Sequence, residues 1–396
     1  MKTQKHIFLN NLFKQKSYFT NQLFFLFVNG LFILKYVSRI NVNPILILIA
    51  YIFTMLLLFF ITNKHFVKLN EKTGKKIYWI IVSFIIFGIL ILHKIVDPIT
   101  IQVDRWSAIH NFIYTLFQGE YPYLAKTHLG GYGSPFPFWQ FLHIPFYILG
   151  DVGLGMLFMI ILLSVSLKLI LRNYNNALLY LLMLIASPAF WYEVLVRSDL
   201  LYNFMLCFLV IVFINRKNIT INKNSYLLGV LCGLILSTRL SVIIPFAIYL
   251  LPDFWHSGIK KQVKFLLTGF FSFILTFLPL LIWDFDSLIF FKFNPFILQS
   301  RQGSILEIIV LIIMIIFFGF RWKSNFTKQF SYTSIVIVFF VVITFMHRMI
   351  SDNFSNGLFS SRYDLTYFNM ALPFIIYSIS VHYKDTTTLT PSLSDS

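Results

Sequence analysis

Two charged residues stand out because of the apolar sequence around them. Asp104 follows an apolar segment and begins the amphipathic stretch DRWSAIHNFIYTLFQG, and Arg239 interrupts a long apolar run. Partial desolvation at a lipid–water boundary raises the basicity of a carboxylate, which can then take a proton from a hydroxyl group. A guanidinium stays charged and binds oxyanions through its planar fork. The two residue types therefore predict a general base and a phosphate ligand.

Both residues also have simpler interpretations, which the sequence leaves open. Asp104 would serve as a helix N-cap if its side chain accepted a backbone N–H, and the two roles can coexist. Arg239 would have a structural role if it formed an ion pair with an acid of the same membrane face. Outer-loop arginines often bind only lipid headgroups, so the weaker candidates for oxyanion binding are Arg197 beside Asp199, Arg348 and Arg362.

Histidine and cysteine form no metal-binding pattern in the sequence. The histidines His110, His128 and His347 provide no spaced pair on one helix, and Cys207 and Cys232 lie inside apolar runs. Metal sites in proteins combine several such ligands, commonly at short spacing. We therefore predict neither a metal ion nor another cofactor.

The composition decides the class of protein. Of 396 residues, 58% are hydrophobic and only 12% are charged, and the mean hydropathy is +0.77. Soluble domains carry about 25% charged residues, so a soluble fold is excluded. Lys and Arg outnumber Asp and Glu by 32 to 15. In a membrane protein this excess belongs to basic loops on the inner side, so nucleic-acid binding is not expected.

Apolar segments of about 20 residues predict an all-α, polytopic membrane helical bundle. Ten full spans are expected, at residues 18–37, 43–62, 77–95, 152–171, 174–192, 198–215, 263–283, 304–320, 329–347 and 365–383. Residues 225–238 and 240–251 are each too short to cross, so we expect two half-helices that meet at Ser237-Thr238-Arg239. Residues 136–149 are also short and proline-rich, and they are expected to lie in the interface.

Loop charge predicts the orientation, with the N- and C-termini cytoplasmic. This orientation puts 21 of the 32 basic residues on the inner side and 11 on the outer side, as the positive-inside rule requires. Residues 1–76 then form a two-span N-terminal extension with a cytoplasmic loop, 77–383 the main transmembrane domain, and 384–396 a disordered cytoplasmic tail. Polar residues collect in the outer loop 96–151, where amphipathic interfacial helices are expected. No small-residue cleavage site follows the first apolar run, so Met1 is expected to be retained.

The first large outer loop resembles that of GT-C superfamily glycosyltransferases, in particular the polyprenyl-phosphate-mannose-dependent mannosyltransferase-like branch. The loop reads DRWSAIHNFIYTLFQGEYPYLAKTHLGGYGSPFPFWQFLHIPFYILG from Asp104 onward. The family pattern is an Asp after a span, an amphipathic helix, a G-x-x-P-Y turn, a Y-x-x-P-P element and an apolar stretch ending in Leu-Gly. Here residues 119–123 supply the turn. Tyr132, Pro135 and Pro137 supply the next element, with a phenylalanine between the two prolines.

Three later stretches are similar to further elements of this family. They are SPAFWYEVLVRSDLLYNF for the second outer loop, LLGVLCGLILSTRLSVIIPF for the broken helix, and RYDLTYFNMALPF for an arginine-tyrosine element. At position 239 this chain has arginine where a lysine is common in the family. The resemblance extends over roughly residues 77–380, and it makes 77–383 a GT-C-like transmembrane catalytic domain.

The resemblance implies an enzyme that transfers a sugar from a polyprenyl-phosphate donor to a hydroxyl of a glycan or glycolipid on the outer face. In this scheme Asp104 is the general base and the anomeric centre is inverted. The residues implied to bind the donor phosphate are Arg239, Arg197 and Arg362, and those implied to bind substrate are Arg105, Tyr123, His128 and Tyr132. The expected location is a bacterial plasma membrane, which the chain crosses several times.

Three other functions compete with this interpretation. A transporter or flippase for a lipid-linked or anionic solute would also have a broken helix and a buried arginine, and inverted repeats would favour it. A membrane polysaccharide polymerase or ligase would bind a lipid pyrophosphate through arginines of the outer loops, and it would not need an acid at position 104. A scaffold is the third alternative, and the cluster of outer charges argues against it.

Overall fold

The computed structural model describes residues 2–40, 42–65, 69–301, 303–321, 326–359 and 363–386, and the regular secondary structure of this described part is helical, with no strand. In chain order the helices are α1 (Lys2–Val37), α2 (Pro44–His65), α3 (Glu71–Ile95), α4 (Arg105–Phe117), α5 (Pro137–Leu142), α6 (Ile144–Ile148), α7 (Leu154–Leu171), α8 (Tyr174–Ile185), α9 (Pro188–Leu195), α10 (Leu200–Arg216), α11 (Ile221–Leu236), α12 (Ile243–Trp255), α13 (Ile259–Trp283), α14 (Phe285–Ile289), α15 (Pro295–Ser300), α16 (Ile305–Gly319), α17 (Phe326–Asp352), α18 (Phe354–Phe359) and α19 (Leu372–Thr386). Short 3₁₀ turns lie at Pro98–Thr100, Pro122–Leu124, Leu240–Val242 and Leu365–Ala371. The predicted all-α fold is thus confirmed.

Six helices in the described part of the chain are long and apolar enough to cross a bilayer. They are Lys16–Val37, Pro44–Thr62, Glu71–Ile95, Leu154–Leu171, Ile259–Trp283 and Phe326–Ser351. A seventh span is possible if α8 and α9, which meet at a bend of 65°, are counted together. The predicted ten full spans are not confirmed, because 198–215, 304–320 and 365–383 fall on shorter helices.

Hydropathy overcounts spans here because an apolar run continues through breaks in the backbone. Residues 174–192 read as one span, yet α8 ends before Ser187 and α9 starts at Pro188. The Ser187 side chain accepts the backbone N–H of Phe190 and so begins a new helix. Serine at the N-cap followed by proline at the first position is a strong helix start, whatever the surrounding hydropathy.

The predicted half-helix pair is present, with its break at the expected residues. Helix α11 ends at Leu236, the backbone is extended at Arg239, and the next turn begins at Leu240. The carbonyls freed at the break are not left open. The backbone N–H of Phe136 donates to Thr238 O at 3.1 Å, and that of Trp139 donates to Ser237 O at 3.4 Å. Non-helical backbone at membrane depth requires such partners.

The stretch 136–149 forms two short helices, α5 and α6, separated at His143. Their 6 and 5 residues give lengths of about 9 and 8 Å, far less than a bilayer core of about 30 Å. Neither helix spans the membrane. Together they place the loop of residues 96–151 against the break between α11 and the Leu240–Val242 turn.

Helices α11 and α13 pack closely through small residues. A Cβ atom added at Gly229 would overlap the Thr268 hydroxyl, and one at Gly233 would overlap the Ser272 hydroxyl and the Gly269 carbonyl oxygen. Membrane helices approach one another closely where glycines are spaced four apart. The half-helix is therefore fixed against α13, and the backbone around Arg239 is fixed with it.

Replacing Gly233 by Ala should destabilise the protein, since neither the Ser272 hydroxyl nor the Gly269 carbonyl can move without disturbing the helix pair. We expect a loss of about 1–3 kcal/mol, typical of overpacking in a well-packed interior. Thermal unfolding of the detergent-purified variant measures it. The matched control is Gly258→Ala, because an added Cβ there meets no atom within 4 Å. Equal melting temperatures for the two variants would contradict this account.

Helix α1 is packed inside the bundle instead of lying beside it. Its residues Phe25 and Val28 are fully buried and belong to the same apolar core as α8, α10 and α19. The Lys35 ammonium group, only 1% exposed, donates to the Tyr363 carbonyl at 2.6 Å. The predicted N-terminal extension thus shares one core with the remainder of the chain. Residues 387–396 of the predicted tail lie outside the described residues.

Candidate functional site

Helix α4 brings Asp104 to the surface of a pocket. The helix buries Trp106, Ile109, Phe112 and Ile113, as their three- and four-residue spacing predicts. Asp104 occupies the N-cap position of this helix, but its side chain makes no capping hydrogen bond. The carboxylate is thus not engaged in capping the helix.

A tight turn holds the Asp104 carboxylate in place. The Thr127 hydroxyl donates to Asp104 Oδ2 at 3.0 Å and accepts the backbone N–H of Gly131, also at 3.0 Å. A Cβ atom at Gly131 would come within 3.1 Å of Asp104 Oδ2, so a glycine allows this close approach. One carboxylate oxygen is thereby fixed by the turn, and the carboxylate is oriented before any substrate binds.

Arg239 forms a buried ion pair with Asp199. The guanidinium donates from Nε to Oδ2 at 2.9 Å and from Nη2 to Oδ1 and Oδ2 at 2.6 Å. The two side chains are 6% and 1% exposed. The Trp139 indole N–H adds a third donor to Asp199 Oδ2, at 2.7 Å. Arg239 therefore forms an ion pair, the structural role that the sequence leaves open. Its partner, Asp199, lies two residues after Arg197 in the sequence.

Arg105 connects this ion pair to a second aspartate, Asp364. Its Nη2 donates to Asp364 Oδ2 at 2.7 Å, and its Nη1 lies 3.8 Å from Asp199 Oδ1. The Tyr367 ring lies under the guanidinium, with 5.3 Å from its centroid to the carbon. Arg239, Asp199, Arg105 and Asp364 thus alternate in charge along one line. We call these four residues the charge line.

The charge line keeps both of its carboxylates ionised. Burial disfavours the charged form of Asp199, but Arg239 and Arg105 outweigh burial and hold its pKa below the ordinary value. Burial acts in the same way on Asp364, and Arg105 again outweighs it and lowers the pKa. Such compensation is what allows paired charges to remain in a low-dielectric interior.

Two adjoining cavities meet at the charge line. The smaller, of about 150 Å³, is lined by Asp104, Arg105, Ala108, Tyr132, Ser134, Pro135, Arg239, Asp364 and Tyr367. The larger, of about 920 Å³, lies among α12, α16 and α17 and shares Arg239, Asp364 and Tyr367 as lining residues. Asp104 and Arg239, distant in sequence, therefore face one pocket, and that pocket borders a much larger space.

The large cavity is amphipathic. Its apolar lining includes Ile243, Ile244, Ala247, Ile308, Leu311, Ile312, Ile315 and Ile316. Its polar lining, which we call the polar end, includes Arg239, Gln299, Arg301, Ser304, Glu307, His347, Arg348 and Asp364. At this end the imidazole of His347 contacts the Glu307 carboxylate, with 2.8 Å from Nδ1 to Oε1. Such a cavity suits a ligand that carries both an apolar chain and a polar group.

Of the residues predicted to bind substrate, Arg105 and Tyr132 line the small pocket, whereas Tyr123 and His128 do not. Tyr132 stacks on Phe293, with ring centroids 5.2 Å apart. Tyr123 is 2% exposed and its hydroxyl donates to the Pro135 carbonyl, so it supports the loop from within. His128 is held between the Ser107 hydroxyl and the Ile101 carbonyl.

Arg197 lies at another cluster and lines neither cavity. Its guanidinium contacts Asp151 at 2.9 Å and donates to the carbonyls of His93 and Val96 at the end of α3. It therefore fastens the end of α3 to Asp151. Arg362, the remaining predicted phosphate ligand, lies outside the described residues.

Sequence reasoning did not assign roles to Asp199, Asp364 or Arg301, although all three belong to the site. The sequence has no feature that couples Asp199 or Asp364 to Arg239 or Arg105. The available signal was electrostatic, because a buried guanidinium requires a carboxylate of the same membrane face. That rule predicts that partners exist without telling which acids they are.

Comparison with known proteins identifies no relative. No family model, no curated protein and no solved structure matches the chain. What the chain does therefore has to be inferred from the two cavities and the charges around them.

Proposed function

We propose that the protein is a membrane glycosyltransferase that moves a sugar from a polyprenyl-phosphate donor to a hydroxyl of a glycan or glycolipid on the outer face of the membrane. One observation carries the proposal. A carboxylate that caps no helix, Asp104, lines the same small pocket as a buried guanidinium, Arg239, and this pocket borders an amphipathic cavity of about 920 Å³.

The donor is assigned to the large cavity because its two ends match the two parts of a lipid phosphate. The isoprenoid chain would lie along the isoleucines and leucine of α12 and α16, and the phosphate would lie at the polar end. Burial of a hydrocarbon chain supplies about 0.8 kcal/mol for each methylene group removed from water. The sugar then extends past Arg239 into the pocket that contains Asp104.

In the proposed reaction, Asp104 takes the proton of the acceptor hydroxyl as its oxygen attacks the anomeric carbon. The bond between that carbon and the phosphate oxygen breaks, and its electron pair leaves with the lipid phosphate, so the anomeric centre is inverted. Arg239 stabilises the negative charge that develops on the leaving oxygen. Asp199 and Trp139 hold the Arg239 guanidinium in place before the reaction begins.

The proposed location is a bacterial plasma membrane, with both termini cytoplasmic. The loop charges support this orientation, and it places Asp104 and the pocket at the outer leaflet, where a polyprenyl-phosphate sugar would be consumed. The test is transfer by purified protein in detergent from a panel of radiolabelled polyprenyl-phosphate sugars to envelope glycans and glycolipids. Release of polyprenyl phosphate with a labelled acceptor is expected. Movement of intact donor across vesicles without transfer would instead establish a flippase.

Thr127 should support catalysis by orienting Asp104. Thr127→Val removes the hydroxyl that donates to Asp104 Oδ2 and accepts from Gly131, so we expect transfer to fall by about tenfold, the value of one ordinary hydrogen bond. Steady-state transfer kinetics measure this loss, and Thr127→Ser should recover most of the rate. Thr100→Val is the control, since the Thr100 hydroxyl contacts only the Asp97 carbonyl. An unchanged rate in Thr127→Val would show that the turn does not orient the base.

A further inference from the structure

The charges of the large cavity are unevenly compensated. Arg239 and Arg105 each contact a carboxylate within the charge line, so the four residues together carry no net charge. Arg301 and Arg348 also have cationic side chains at the cavity, yet no acidic side chain in the described part of the chain forms an ion pair with either. The remaining acid at this end, Glu307, contacts His347 and neither arginine. The cationic side chains without an ion-pair partner at the polar end are therefore Arg301 and Arg348.

These two arginines come from different elements, and both line the large cavity. Arg301 directly follows α15, and Arg348 lies near the end of α17. Arg301 is oriented by aromatic contacts, since its guanidinium carbon lies 5.4 Å from the centroid of Phe293 and that ring stacks on Tyr132. Because Tyr132 lines the small pocket, the stack joins Arg301 to the wall of the pocket that contains Asp104.

We propose that Arg301 and Arg348 form a phosphate-docking site for a single-chain lipid phosphate, distinct from Arg239. The proposal rests on the function given above and refines it, since it separates binding of the donor from stabilisation of the leaving group. Two guanidinium groups that line the same cavity can each donate charge-assisted hydrogen bonds to phosphate oxygens. The chain attached to that phosphate enters the apolar part of the same cavity, along Ile308, Leu311 and Ile312.

Direct binding tests this site without requiring turnover. Purified protein in detergent is titrated with a radiolabelled long-chain polyprenyl phosphate, using wild type, Arg301→Gln, Arg348→Gln and the double variant. Each single variant should weaken binding about tenfold, and the double variant more, because charge-assisted hydrogen bonds to phosphate are lost. The matched control is Lys292→Gln, because the Lys292 ammonium lies 5.6 Å from the centroid of the same Phe293 ring but does not line the cavity.

Titration with other ligands shows which chemical group of the lipid phosphate the two arginines recognise. Polyprenol without phosphate should bind weakly to wild type and equally weakly to the double variant. Inorganic phosphate should compete poorly, since it lacks the chain. Equal binding of polyprenol and polyprenyl phosphate, or full affinity in the double variant, would overturn the proposal. Competition by phosphatidylglycerol as strong as by polyprenyl phosphate would also overturn it, because the site would then read ordinary bilayer headgroups.

The outcome for this site is separable from that for the transferase. Both arginines are exposed, so their substitution should leave the melting temperature unchanged, and a fall in it would assign the binding loss to unfolding and reject the site. Asp104→Asn should bind polyprenyl phosphate with wild-type affinity. If no sugar is transferred by any variant while binding still depends on Arg301 and Arg348, the docking site stands and the glycosyltransferase proposal fails.

Discussion

Replacement of Asp104 by Asn should lower sugar transfer by about 100-fold or more while leaving the fold intact. The amide keeps the shape of the side chain and can still accept the Thr127 hydroxyl, but it cannot take the proton of the acceptor. Loss of a general base typically costs about 10²–10⁴ in rate. The measurement is single-turnover transfer of radiolabelled sugar from a saturating polyprenyl-phosphate donor, with donor binding determined in parallel.

The control for this substitution is Asp286→Asn. Asp286 lies on α14, is exposed and lines neither cavity, so its rate should equal that of wild type. Full activity of Asp104→Asn would exclude Asp104 as the base, whatever happens to the other variants. A loss of donor binding equal to the loss of rate would assign Asp104 to the binding of the donor instead of to proton transfer.

Replacement of Asp199 by Ala should produce the largest loss of stability, about 3–5 kcal/mol. The substitution leaves the Arg239 guanidinium buried without its carboxylate, and breaking one partner of a buried pair costs that much. Trp139 also loses the acceptor of its indole N–H. Thermal unfolding in detergent should show a large fall in melting temperature, and transfer activity should be abolished.

A double-mutant cycle separates the stability lost by leaving a buried charge unpaired from the stability lost through altered packing. In Asp199→Asn with Arg239→Gln both charges are removed at once, so much of the stability should return relative to either single variant. Activity should not return, because the guanidinium needed at the leaving phosphate is still absent. A double variant as unstable as the sum of the two single variants would mean that the ion pair makes no coupled contribution to stability.

Much of the fold follows from sequence because single residues set the local structure. The break at Ser237-Thr238-Arg239 was predictable, since two apolar runs too short to cross meet at an arginine. The amphipathic helix after Asp104 was equally visible, since the buried residues of α4 recur at helical spacing. Both predictions depend only on contacts within about one helical turn or on the thickness of the bilayer.

The number of spans and the partners of the charged side chains were harder to predict from the sequence. A helix length depends on where caps such as Ser187 interrupt an apolar run, and hydropathy does not register caps. The pairing of Arg239 with Asp199 and of Arg105 with Asp364 depends on tertiary packing between segments that lie far apart in the chain. The sequence predicts that a buried cation needs an acid, and only the structure shows which acids are the partners.

The N–H groups of Phe136 and Trp139 give the loop of residues 96–151 a role in holding the break after α11 together. If the loop were drawn away from the bundle, the buried carbonyls of Ser237 and Thr238 would lose these donors, at a cost of several kcal/mol for each group left unsatisfied. The loop is thus unlike a hinged lid that swings freely over a site. An antibody fragment that pulled it outward would also displace the arginine beside the break, and would inhibit without ever entering either cavity.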